Sequence, residues 1–370
     1  NMQPICGIRS KNWKNRYGAR RPTTPGFMGK GGPALLSKVK KELLAAAAML
    51  LALLLFLGIA APILFPKGVK MGATWDLWGP YEKEPENSLD FLVTGSSLSY
   101  CNIIPAQIYE ETGYASYLVA GPRQTLAVTY YSLKEACKKQ QPKAVFLEAT
   151  CFYYPQYTQY TKAIIGSMPW TENRLAATFL AAGKSDWLTL LFPLYGYHSR
   201  WDELTMNDVQ KGLLGYDRDL LAGYSYLDAI SPQGEVTQRE DETTPESMEW
   251  NLSYLRKIAS FCEEEGIRLV CYLAPGFVRF NEEQLSRMRT ELSLLGVPLV
   301  DYNEQFDALG MDPSKDYYDT SHMTFCGAEK FTAAFTNLVE ETLRGVSPLR
   351  AEPKLWGDRV DYYHSLPPVG

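Results

Sequence analysis

Between Leu43 and Phe65 the chain reads Leu-Leu-Ala-Ala-Ala-Ala-Met-Leu-Leu-Ala-Leu-Leu-Leu-Phe-Leu-Gly-Ile-Ala-Ala-Pro-Ile-Leu-Phe, with no charged residue. At about 1.5 Å per residue, a helix of this length crosses a hydrocarbon layer of roughly 30 Å. Arg9, Lys11, Lys14, Arg16, Arg20, Arg21, Lys30, Lys38, Lys40 and Lys41 precede it, and only Lys67 and Lys70 follow closely. Positive charge stays on the cytoplasmic side, so the amino end is expected inside and everything after about Pro66 outside. A cleaved signal peptide is the alternative. The run is long for a signal core and Ala-Pro-Ile-Leu-Phe is a poor cleavage site, which favours an uncleaved single-pass anchor in the cell membrane. Residues 1–42 then form a basic cytoplasmic tail, 43–65 the transmembrane helix and 66–87 a connector.

The remainder of the 370 residues suits one sizeable α/β domain with an inserted subdomain. Hydrophobic content of 46% against 21% charged supports a packed core. A net charge of −5 gives no reason to expect nucleic acid. Six of the seven cysteines fall after the anchor, where disulfides are permitted. Cys137, Cys262 and Cys271 sit in apolar patterns that suit buried free thiols. Histidine and cysteine are scattered without ligand spacing, so neither a metal nor a cofactor is implied.

Apolar strands at 88–93, 114–120, 143–148, 268–273 and 298–301 alternate with helical stretches at 105–112, 125–139, 246–265, 281–295 and 328–344. This alternation predicts a three-layer α/β/α fold with a five-stranded parallel sheet in the flavodoxin-like order 2-1-3-4-5. The domain spans 88–345. Alternation stops across 150–245, which is rich in Tyr and Trp and reads as an insertion over the carboxyl end of the sheet. Within it His198, Arg200 and Trp201 are candidates for a substrate pocket, and plain packing is the alternative. Residues 346–370 read as a Pro-rich, weakly ordered tail.

Two short patterns carry chemistry. Leu92-Val93-Thr94-Gly95-Ser96-Ser97 ends a strand in a tight turn before a helix, a place where a serine hydroxyl is held at the carboxyl edge of a sheet. Asp319-Thr320-Ser321-His322 stands before the last helix and holds one of only three histidines. A serine needs a base, and the base an orienting carboxylate, so Asp319 and His322 could supply both. Each pattern alone is also compatible with a plain loop or a helix cap. Ser99 is a rival nucleophile and Asp316 a rival orienter.

Gly95-Ser96-Ser97 after the first strand, with Asp319-x-x-His322 before the last helix, resembles the SGNH (GDSL-like) hydrolase superfamily over about Leu89 to Arg344. The membrane-anchored arrangement resembles bacterial cell-surface O-acylation proteins: those of alginate and peptidoglycan O-acetylation and the D-alanyl transfer protein of teichoic acids. The resemblance implies Ser97 as nucleophile, His322 as base and Asp319 as its orienter. It implies an oxyanion hole of the Ser97 N–H, a glycine matching Gly121, and an asparagine after the third strand. This chain has Leu147-Glu148-Ala149-Thr150 there instead, leaving Gln124 as a substitute. The implied reaction moves an acyl group, such as acetyl, to or from a surface glycan. A membrane-bound O-acyltransferase is the implied partner. An esterase on the same residues and a catalytically degenerate glycan-binding or scaffold protein are the alternatives.

Overall fold

The computed structural model describes residues 32–67 and 77–368. The expected cytoplasmic tail up to residue 31 and the connector segment 68–76 lie outside the described residues. The chain divides into two compact units, residues 1–55 and 56–370. Helix α1 (Gly32–Leu64) runs from the first into the second. Its stretch Ser37–Leu64 is long and apolar enough to cross a membrane, and its most apolar 18-residue window has no buried residue.

In the second unit, strands β1 (Phe91–Gly95), β2 (Ser116–Ala120), β3 (Ala144–Glu148), β4 (Arg268–Leu273) and β5 (Leu299–Asp301) form one parallel sheet in the order β2-β1-β3-β4-β5. Leu92 pairs with Tyr117 on one side and Val145 on the other; Phe146 pairs with Val270. Successive side chains point to opposite faces. Leu92, Val145, Leu147, Cys271 and Leu273 therefore enter one core, and Phe91, Val93, Phe146, Val270 and Tyr272 enter the other. A parallel sheet buried on both faces needs apolar residues at consecutive positions, which is why these strands read as continuous runs.

Helices α2 (Ser97–Tyr100), α3 (Pro105–Thr112) and α4 (Leu126–Ala136) follow β1 and β2. Helices α5 (Pro245–Glu264), α6 (Glu282–Leu294) and α7 (Phe325–Thr342) complete the layers. Leu126, Leu133, Leu255, Ile258, Met288 and Leu292 fill the first core. Ile108, Phe331, Phe335 and Val339 fill the second.

The insertion between β3 and α5 consists of short helices and loops. Part of it covers the open edge of the sheet: the Leu118 N–H of β2 donates to the Ala222 carbonyl at 3.0 Å. Gly223 is left-handed (φ +93°), and a Cβ there would lie 2.7 Å from the Leu118 carbonyl oxygen, so only glycine fits. All six cysteines of the described portion are free. Burial pushes the Cys137 and Cys262 thiols up to about 12.

The end of the chain corrects one expectation. Residues 353–364 form helix α8 (Pro353–His364), not a loose tail. Pro353 occupies its first turn, where a missing N–H costs nothing. Trp356 stacks on Tyr109 with ring centres 4.7 Å apart. Arg359 is fully buried and meets the equally buried Glu84 at 2.5 Å, and it also donates to the Asp219 carbonyl. Burial raises the pKa of Glu84, and the Arg359 charge works against that rise. Removing one partner of such a pair strands the other in a dry interior, at a cost of about 3–5 kcal/mol. Arg359→Ala is therefore expected to destabilise the detergent-solubilised protein by about that much in a denaturant titration, while Glu84→Gln/Arg359→Met recovers most of it. An Arg359→Ala protein as stable as wild type would show that α8 is not held by this pair.

Candidate active site

β1 ends in a residue that must be glycine. Gly95 has φ +130°, and a Cβ there would lie 2.8 Å from the Glu148 Cβ on neighbouring β3. The turn brings Ser96 to the cap position of α2, where its hydroxyl accepts from the Leu98 N–H at 3.3 Å. Ser97 follows as the first helical residue and is half-buried. The first N–H groups of a helix have no partner within it, and the Ser97 N–H stands in that position.

The second half arrives from the loop before α7. Asp319 Oδ1 accepts from the backbone N–H groups of Ser321 and His322, both at 2.8 Å, closing a tight turn. Its Oδ2 lies 2.7 Å from His322 Nδ1. His322 Nε2 lies 2.7 Å from Ser97 Oγ, across 225 positions of sequence. A hydrogen-bonded chain of carboxylate, imidazole and hydroxyl thus stands at the carboxyl edge of the sheet. Partial burial would raise the pKa of Asp319, but the His322 hydrogen bond and charge, with the backbone N–H groups of His322 and Ser321, outweigh it and hold it below the usual carboxylate range.

Asn102 joins the two halves, and nothing in its sequence context announces this. It is fully buried. Its Nδ2 donates to the Ser321 carbonyl at 3.1 Å and its Oδ1 accepts from the Met323 N–H at 3.0 Å. Those two backbone groups flank His322, so Asn102 fixes the histidine loop to the turn that carries Ser97. An antiparallel bridge between Tyr317 and Met323 steadies the same loop.

The rival residues are occupied elsewhere. Ser99 is buried, donates to the Thr94 carbonyl at 3.1 Å and accepts from the Tyr272 hydroxyl at 3.1 Å. Asp316 is paired with Lys330 at 2.6 Å and capped by the Asp312 N–H.

The expected oxyanion donors are placed differently from the serine and histidine. The Gly121 N–H points at the Gly95 carbonyl, at a long 3.4 Å. Gln124 is buried, and its amide N–H₂ donates to Thr129 Oγ1 at 3.0 Å and Thr94 Oγ1 at 3.5 Å, so it is turned away from Ser97. At the third strand, where the resemblance implies an asparagine, Glu148 turns inward. Its carboxylate accepts from Ser96 Oγ at 2.8 Å and from the N–H and hydroxyl of Thr150. Complete burial raises its pKa, and the hydrogen bonds from Thr150 and Ser96 oppose that rise.

The candidate pocket residues of the insertion are not brought to the Ser97 centre. Arg200 donates to the Leu64 carbonyl at the end of α1 at 2.7 Å and pairs with Asp208 and Glu203. His198 Nδ1 meets the Tyr195 carbonyl at 2.9 Å. Trp201 is 72% exposed and makes no hydrogen bond to the site. A cation suits a helix end with unmet carbonyls as well as it suits a ligand pocket, and here Arg200 serves the helix end.

No family model matches the chain. No curated protein matches it either. Among solved structures, a protein assigned to the acylhydrolases from Bacteroides fragilis is 11% identical, with a TM-score of 0.35 over 71% of this chain and 94% of that one. A protein described as a GDSL-like lipase from Parabacteroides merdae is 12% identical, with a TM-score of 0.34 over 70% of this chain and 97% of that one. Likenesses this distant carry no inference about activity.

Two outcomes are expected. Asn102→Ala leaves the Ser321 carbonyl and Met323 N–H unmet, costing about 1–3 kcal/mol in thermal or denaturant unfolding, with a drop in the reactivity of Ser97 toward a serine-directed probe that exceeds the loss of folded protein. The lowered pKa of Asp319 has a definite sign: its ionised form stabilises the fold above the unfolded carboxylate pKa of about 3.9, and this contribution is lost as pH falls through the still lower folded value. The stability difference between wild type and Asp319→Asn should be level above about pH 5 and shrink below about pH 4. A difference that grows toward acid would contradict the depressed pKa.

Proposed function

We propose that this chain is an extracytoplasmic, membrane-anchored serine acyltransferase or esterase of SGNH (GDSL-like) type. It moves an acyl group, such as acetyl, to or from a cell-surface polysaccharide. The observation that carries the proposal is the continuous hydrogen-bonded series Asp319 Oδ2, His322 Nδ1, His322 Nε2, Ser97 Oγ, with both links at 2.7 Å.

The chemistry follows from that geometry. His322 Nε2 takes the Ser97 proton as Oγ attacks an ester carbonyl. Asp319, kept ionised by its surroundings, holds the imidazole in the tautomer that presents a bare Nε2 and stabilises its protonated form. The Ser97 N–H, at the first position of α2, stabilises the developing oxyanion. Protonated His322 returns the proton to the leaving alcohol, leaving an acyl group on Ser97. A glycan hydroxyl or water, deprotonated by His322, then attacks the acyl-enzyme and releases Ser97. A hydroxyl acceptor makes the protein a transferase and water makes it an esterase. A membrane-bound O-acyltransferase is the partner that would supply acyl groups to the first step.

One observation favours a second reading, a glycan-binding or scaffold protein with a weakened centre. The Gly121 N–H and the Gln124 amide are both directed at protein oxygens. One missing oxyanion donor typically costs about 100- to 1000-fold in turnover.

Covalent labelling of the full-length protein by a fluorophosphonate distinguishes the two. Labelling is expected at Ser97, absent in Ser97→Ala and His322→Ala, and slowed roughly a thousandfold or more in Asp319→Asn, where the wrong tautomer is favoured. A folded wild type that takes no label would leave the binding reading in place.

A further inference from the structure

Two guanidinium groups line a cleft that adjoins the turns carrying Ser97 and His322, and among the described residues neither has an ion-pair partner. The short parallel ladder of Thr237–Gln238 on Val278–Arg279 extends into an Arg239 N–H bond to the Arg279 carbonyl at 2.7 Å. It sets Arg239 and Arg279 on the wall of a small, open cleft with a cavity volume of about 10 Å³, room for little more than one water-sized group. That cleft is also lined by Leu98, next to the nucleophile, Ser321, next to His322, and Thr150, which binds Glu148. It therefore adjoins the two turns that carry Ser97 and His322.

Four other arginines of this unit are paired with carboxylates, Arg123 with Glu242, Arg256 with Glu249, Arg289 with Glu304 and Arg359 with Glu84, while Arg174, away from this cleft, is bonded to the Met168 and Leu190 carbonyls. Among the described residues neither Arg239 nor Arg279 has a carboxylate within ion-pair distance. Their hydrogen bonds go to backbone carbonyls: Arg239 Nη2 to Val278 at 3.4 Å and Arg279 Nε to Gly276 at 2.8 Å. Each guanidinium lies over an aromatic ring, Phe280 at 5.3 Å and Phe306 at 5.0 Å, which keeps it in place without neutralising it. Arg239 Nε is buried with no acceptor, an unfavourable arrangement unless a ligand completes it. The Arg239 charge also acts on Glu148, whose two oxygens already accept from Ser96 and Thr150. Arginine presents five donors in a planar fork that matches the paired oxygens of a phosphate or carboxylate.

We propose that Arg239 and Arg279 form an oxyanion-binding subsite that holds a phosphate or carboxylate group of the substrate while its ester carbonyl lies at Ser97. The substrate class is then an anionic acyl ester or an anionic acceptor, and the pair sets the preference for it over a neutral one. The placement relative to the reacting ester rests on the reading of Ser97 as nucleophile; the binding of the anion does not.

The test separates the two. Isothermal titration of detergent-solubilised full-length protein with inorganic phosphate, and separately with acetate, reads the subsite without any turnover, and Ser97→Ala is expected to bind as wild type does. Arg239→Gln/Arg279→Gln should weaken binding about tenfold or more, and Arg256→Gln, which alters a surface arginine, should not. Tighter binding of phosphate assigns a phosphate-bearing substrate, and tighter binding of acetate a carboxylate-bearing one. Should the double glutamine variant fail to fold, Arg239→Lys/Arg279→Lys keeps the charge but loses the fork and should bind at least severalfold more weakly. For an enzyme that turns over aryl esters, the ratio of kcat/KM for a carboxylate-bearing ester to that for its neutral analogue should fall about tenfold in either double variant. No detectable binding of either anion to wild type, or binding that the substitutions leave unchanged, overturns the proposal, whatever the labelling of Ser97 shows.

Discussion

The parallel sheet is the constraint on which the site depends. When every strand runs the same way, every strand-to-helix turn on one edge begins where a strand ends, so chain segments remote in sequence deliver their turns to one line in space. β1 delivers Gly95-Ser96-Ser97, β3 delivers Glu148, β4 leads to Pro275 and Gly276, and the loop after β5 delivers Asp319 and His322. The sheet brings these turns near one another but leaves errors of an ångström or more, which matter to proton transfer. Asn102 removes that slack. Its two hydrogen bonds reach the backbone on either side of His322 and lie in a dry environment, where a hydrogen bond is stronger and a lost one dearer.

Glu148 shows how the same edge handles a buried carboxyl group. A carboxyl with no exposure is held by three donors from Ser96 and Thr150 and lies behind the nucleophile turn, not in front of it. It fixes the residue that caps α2, and through that cap the direction of the Ser97 side chain. The close approach of Gly95 to Glu148 Cβ makes the glycine and the glutamate a matched pair: a side chain at 95 would collide with the strand that supplies the carboxylate. A position that supplies an oxyanion donor in the resembled family thus serves here to set the turn.

Much of this was legible in the sequence because it rests on local periodicity. Consecutive apolar residues in five short runs, each followed by a helical pattern, specify a parallel sheet covered on both faces, and the observed order follows. Ser97, Asp319 and His322 could be singled out because a glycine-serine turn after a strand and a carboxylate three residues before a histidine are short-range patterns. Asn102 could not, since its partners lie more than two hundred positions away and a polar residue in a turn has no distinctive neighbourhood. Gln124 was misplaced for the opposite reason: the sequence supplied a donor near the right turn but not the Thr94 and Thr129 hydroxyls that claim it. Helix α8 was masked by the prolines around it, although Leu355, Trp356, Arg359 and Tyr363 recur at helical spacing and bury one face.

The insertion illustrates how composition alone misleads about role. Tyr197, Arg200 and their neighbours look like a ligand pocket because aromatics and a cation suit carbohydrates. A helix that ends inside a folded unit makes the same demand. Its last carbonyls have no partner within the helix, and its dipole leaves the end negative. Arg200 donates to the Leu64 carbonyl, Lys67 to the carbonyls of Phe65 and Ile63, and the Phe65 ring meets Tyr197 edge to face at 5.4 Å. Two cations and an aromatic contact therefore close the apolar helix within the unit that carries Ser97. The tight packing of Gly212 against the Ile63 backbone, where any side chain would clash, belongs to the same junction. The end of the apolar helix is thus a packed element of the unit that carries Ser97, and Tyr197 and Arg200 of the insertion serve that junction.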